Sequence, residues 1–165
     1  MKALCAFVLV ICLLLPSGPV LAAATEFSRG QTTVTVGSNT LTADNNVKYV
    51  NYTVGEVLTV TLNYSATCDI EFSGLTQRSP KPYTPRGVAG VVSNVTGTPP
   101  AGSPATSGSV TFDIQFTSLK KAGKSKQFGV AHLKLVLGVD DDCDGSIDDT
   151  VNIGVQLSVS TASHP

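Results

Sequence analysis

From Val151 to Val159 every second residue is apolar: Val151, Ile153, Val155, Leu157 and Val159. Asn152, Gly154, Gln156 and Ser158 fill the positions between. Successive side chains of a strand point to opposite faces, so this period of two builds a strand with one buried and one wet face. The same alternation runs through Leu58, Val60, Leu62 and Tyr64, and again through Val110, Phe112, Ile114 and Phe116. Leu133, Leu135 and Leu137 repeat it within Val130–Leu137, with His132 and Lys134 facing out. No stretch after residue 25 carries a helical period, which excludes helical and α/β architectures.

Further strands are expected at Thr32–Val36, ended by Gly37-Ser38-Asn39, at Asn39–Ala43 and at Lys48–Val54. Cys68, Ile70 and Phe72 continue the alternation of Leu58–Tyr64, while Asp69 and Glu71 point the other way. Gly74–Ser109 changes character, with six prolines among Gly and Ser, and reads as a long insertion in which only Val88–Val95 suits a strand. Leu119–Lys124 reads as a turn. Seven to eight short strands without helix predict an all-β fold, an antiparallel β-sandwich of two sheets packed face to face.

The first 24 residues read as a signal peptide rather than structure. Lys2 is followed by the apolar run Ala6–Leu15, the breaker Pro16-Ser17-Gly18-Pro19 and the small residues Ala22-Ala23-Ala24. The run is too short to span a bilayer, and no second one follows. Cleavage before Thr25 leaves a single domain, residues 25–165, secreted to the periplasm or the exterior, with no membrane span. Cys5 and Cys12 depart with the signal, so Cys68 and Cys143 are expected to form one disulfide. Closing so long a loop is worth on the order of 4 kcal/mol.

Without Lys2 the chain holds ten basic and twelve acidic side chains, which points to neither nucleic acid nor an anionic membrane. Half of the acidic residues lie between Asp140 and Asp149. Asp140, Asp142 and Asp144 fall at alternate positions before Gly145, the opening of an Asp-x-Asp-x-Asp-Gly calcium loop. Ser146 would add its carbonyl, and Asp148 and Asp149 further oxygens. Val151 stands at the twelfth position, where such loops place a bidentate glutamate. Calcium is therefore the expected cofactor, with a dissociation constant of about 10⁻⁴ to 10⁻³ M. A hydrated acidic hairpin without metal is the competing account, and Cys143 as a soft-metal ligand ranks below both.

Val54-Gly55-Glu56-Val57-Leu58-Thr59-Val60, Leu119–Lys126 and a hairpin near the C-terminus together resemble the immunoglobulin-like or fibronectin-type-III-like modules of bacterial surface proteins. The resemblance covers most of residues 45–160 and implies an immunoglobulin-like sandwich. Asp140–Asp149 is similar to the Asp-Cys-Asp-Gly metal loops of such proteins and to single EF-hand calcium loops. It occurs once here, on strands, so it is no EF-hand.

Chemistry elsewhere is sparse. Gly123-Lys124-Ser125 lacks the earlier glycine of a phosphate loop, since Ser118 stands there. His132 has no partner for a nucleophilic triad, so no enzyme is expected. Asn51, Asn63 and Asn94 fit the N-glycosylation sequon, and Arg78, Lys81, Tyr83 and Arg86 cluster in the insertion. The leading expectation is a non-enzymatic surface or matrix module supporting adhesion or assembly, its partner a protein or glycan at the cell surface. A carbohydrate-binding module resting on Tyr49, Tyr52, Tyr64 and Tyr83 is the alternative, and a pilin-like subunit that assembles by donating Thr32–Val36 is a third.

Overall fold

The computed structural model describes residues 23–78, 90–122 and 126–161. Within them the chain is all β. The strands are β1 (Thr25–Val36), β2 (Asn39–Val50), β3 (Val57–Gln77), β4 (Val91–Thr98), β5 (Ala105–Gln115), β6 (Lys120–Ala122), β7 (Lys126–Val139) and β8 (Asp149–Ser160). Of residues 1–24, expected to be a signal peptide, only Ala23 and Ala24 are among the described residues, and Lys81, Tyr83 and Arg86 also lie outside them.

Eight strands match the expected number, but the hydrogen bonds join them differently. They run through one sheet, in the order β1-β2-β8-β7-β3-β5-β4, with β6 on β7, and a further β2–β3 pairing closes the ring β2–β8–β7–β3. Two separate sheets were expected. The reason for the difference is strand length. β3 spans 21 residues; its first half pairs with β5 as far as Ser65, and its second half pairs with β7 from Ile70. A register shift between Ser65 and Ile70 marks the change of neighbour. β2 does the same, pairing with β3 through Leu41–Ala43 and then with β8 through Asn46–Tyr49. That last pairing is parallel, the exception in an otherwise antiparallel fold.

Other boundaries also move. Asn39–Ala43 and Lys48–Val50 belong to one strand, and Thr53–Gly55 lies in a turn instead of a strand. The Lys120–Ala122 part of the expected turn is a short strand against Lys126–Phe128. The Pro-rich segment holds the end of β3, all of β4 and the start of β5.

The alternating residues do what their period requires. Leu58, Val60, Leu62 and Tyr64 face inward with Phe112, Ile114, Leu133, Leu135, Leu137, Ile153, Val155 and Leu157, and all are buried. Tyr52 closes one end: its ring meets Phe116 edge-on at 5.7 Å, while its hydroxyl donates to Glu56 O and accepts from Phe116 N. A buried tyrosine is tolerated because its hydroxyl is thus satisfied.

Candidate metal centre

The β7–β8 connection carries the acidic residues. Asp140 leaves β7 at the edge of the core and is only 2% exposed. Its carboxylate folds the loop around itself: Oδ1 accepts from Cys143 N (2.7 Å) and Asp144 N (3.2 Å), and Oδ2 from Gly145 N (2.9 Å). Asp142 Oδ1 accepts from Asp144 N, and Asp144 Oδ1 from Ser146 N. These short side-chain-to-backbone bonds are what aspartates favour in turns. Gly145, at φ +92°, supplies the sharp bend, and Cys143 is held at φ +68°, where a side chain is disfavoured.

The loop is tied down from outside as well. The Cys68–Cys143 disulfide joins its apex to β3. Asn39 is fully buried, and its amide donates to Asp140 O (2.9 Å) and Asp69 O (3.3 Å) while accepting from Cys68 N (3.2 Å). Ser38 N donates to Asp141 O at 2.6 Å. Gly37, at φ +55°, lies so close that a Cβ there would collide with the Asp141 carbonyl. The β1–β2 turn therefore presses on the acidic loop and needs glycine to do so. A hollow of about 250 Å³ lies beside the disulfide and opens onto Asp140 and Gly145.

One carboxylate oxygen each from Asp140, Asp142 and Asp144 lies within 4.8 Å of the others, a spacing that can hold a cation. Asp141, Asp142 and Asp148 form a second group by the same measure. The alternation thus brings together the three residues it selected, and Asp142 is shared with a group containing Asp141, which the alternation passes over. Asp149 belongs to neither group, and its Oδ1 accepts from Thr150 N at the start of β8. Val151 is buried in the core, so nothing at the twelfth position reaches the loop. The Asp148 charge beside Asp141, helped by Asp142 and Asp149, pushes the Asp141 carboxyl above its ordinary value. Acidic groups of this kind are common on surfaces without a metal; here every donor is a hard oxygen, which fits calcium or magnesium rather than a soft metal.

Asn39 is the residue the sequence conceals. It reads as a turn residue, and only the meeting of β2, β3 and the acidic loop gives its amide four partners, Asp69 O, Asp140 O, Thr67 Oγ1 and Cys68 N. Comparison with protein-family models, curated proteins and solved structures finds no match to this chain. What it does rests on the chemistry of its own residues. The disulfide is compatible with an oxidising compartment, and no helix among the described residues is long and apolar enough to cross a membrane.

Proposed function

We propose that the chain is an exported, non-enzymatic surface or matrix module whose β7–β8 loop binds calcium and is stiffened by it for adhesion or assembly. The gathering of the Asp140, Asp142 and Asp144 oxygens carries this reading. Repulsion among six carboxylates in one short loop opposes its compact form, and a divalent cation offsets that repulsion. Asp140 would serve as the inner ligand, preorganised by its three backbone donors, with Asp142 and Asp144 as outer ligands and Asp148 direct or through water. The disulfide, Asn39 and the β1–β2 turn lower the cost of ordering these groups. Location outside the cytoplasm and a surface protein or glycan as partner are part of the same proposal.

Thermal melts with and without calcium test it. At concentrations about 10 to 100 times the dissociation constant, binding stabilises by about 1.4 to 2.7 kcal/mol. The melting temperature of the oxidised protein should therefore rise by several degrees, and Asp142→Ala with Asp144→Ala should remove the rise. An unchanged melt in 10 mM calcium sinks the proposal.

A further inference from the structure

A second site lies on the outer face of the ring, away from the acidic loop. Asn46, Gln156 and His132 stand side by side on three neighbouring strands, Asn46 opposite Gln156 and Gln156 opposite His132. The chain leaving β3 adds Arg78, whose N–H donates to His132 O at 2.8 Å. In the β1–β2 register Gly30 pairs with Asn46 and Gln31 with Asp44, so Asn45 is the extra residue of a bulge. Bulges re-aim side chains, and this one brings a second amide to the same place. Gly154, the neighbour of Gln156 on that face, has open space where a Cβ would be. The result is a hollow of about 310 Å³ floored at Gly154 and rimmed by Asn45, Asn46, Arg78, His132 and Gln156.

Its chemistry is specific. None of the lining residues is acidic, and the guanidinium of Arg78 offers a planar pair of donors to a carboxylate or sulfate. Three side-chain amides offer both donors and acceptors, as vicinal hydroxyls require. Asn46 Oδ1 is buried and accepts no hydrogen bond. Buried acceptors of that kind are rare, and this one lies beneath the surface of the hollow, so the exposed parts of the amides make the contacts with a ligand. The volume is at the small end of the range for small-molecule sites.

We propose that this hollow binds an acidic saccharide, its carboxylate on Arg78 and its hydroxyls on the amides of Asn45, Asn46 and Gln156. The site is separate from the acidic loop, so the two proposals fail independently. Calorimetric titration in the presence of EDTA tests it with three probes: a uronic-acid-containing disaccharide, a neutral disaccharide of equal size, and sodium sulfate. The acidic disaccharide should bind at least tenfold more tightly than either of the others. Arg78→Ala should weaken it at least tenfold. Gly154→Val fills the floor, and should abolish binding while leaving the melting temperature as high as in the parent. Should that variant lose its fold, Gln156→Ala, an exposed change, must still weaken binding. Equal affinity for the neutral sugar, sulfate binding as tightly as the disaccharide, absence of binding at millimolar concentrations, or binding that survives these substitutions overturns the proposal.

Discussion

Cys68→Ala combined with Cys143→Ala is expected to lower stability by about 4.5 kcal/mol, the loop-closure value for residues 75 positions apart. That is a large part of the 5–15 kcal/mol typical of a domain, and corresponds to a fall of about 15 °C in melting temperature. Cys143 sits at φ +68°, a conformation that costs a non-glycine residue about 1–2 kcal/mol; any relaxation of it once the tie is cut offsets a part of that loss. With the tie cut, the apex of the acidic loop relaxes and the ligands must be ordered at the moment of binding. Calcium affinity should therefore fall by about tenfold along with stability. Urea melts and calcium titrations of the parent and the double variant check both numbers. A loss below about 1 kcal/mol would mean that Asn39 and the β1–β2 turn hold the loop without the disulfide.

Asp44→Ala is expected to cost about 3 kcal/mol, for a reason remote from the metal loop. Asp44 is 1% exposed, and its Oδ2 meets Arg29 Nη1 at 2.5 Å and Asn63 N at 2.8 Å. Gln31 Nε2 donates to Oδ1 at 3.1 Å. Arg29 also donates from Nε and Nη2 to the two oxygens of Glu26, and from Nη1 to Thr61 O. One buried carboxylate thus ties β1, β2 and β3 together beside the Gly30–Gln31 bulge. Removing it leaves the Asn63 strand N–H and the Gln31 amide without their acceptor and takes one of two carboxylates from the partly buried Arg29, which is why truncating such a pair costs more than the pair contributes. Burial pushes the Asp44 carboxyl up, but the Asn63 N–H, Arg29 and Gln31 outweigh it and hold the group below its ordinary value. The Arg29 bond likewise lowers Glu26, against some desolvation. Groups lowered on folding contribute stability above the unfolded carboxylate value of about 4, lost as pH falls through the folded one. Denaturant melts from pH 7 down to pH 2 should show that loss in the parent, and a shallower one in Asp44→Asn.

The alternation of Leu58–Tyr64, Val110–Phe116 and Val151–Val159 was enough to place the core, because period two leaves no choice of face. It could not show how the strands join. Cys68, Ile70 and Phe72 carry on the alternation of Leu58–Tyr64 and so belong to one strand, but nothing in the pattern shows that this strand changes neighbours between Ser65 and Ile70. Asn45 and Asn46 disguise the continuity of β2, since a bulge there suits polar side chains. The parallel β2–β8 pairing unites strands from opposite ends of the chain, and no local pattern encodes it. In the acidic loop the spacing of Asp140, Asp142 and Asp144 identified a real cluster. It could not show that the Asp140 oxygens already accept three N–H groups, or that Asp141 joins Asp142 and Asp148. Those facts depend on how the loop turns back on itself.

Equilibrium dialysis of oxidised residues 25–165 against 5 mM radioactive calcium counts bound ions directly. One ion per chain, with a dissociation constant of about 0.1–1 mM and none retained by Asp142→Ala with Asp144→Ala, is the predicted result. A parent protein that retains no calcium at that concentration contradicts the account.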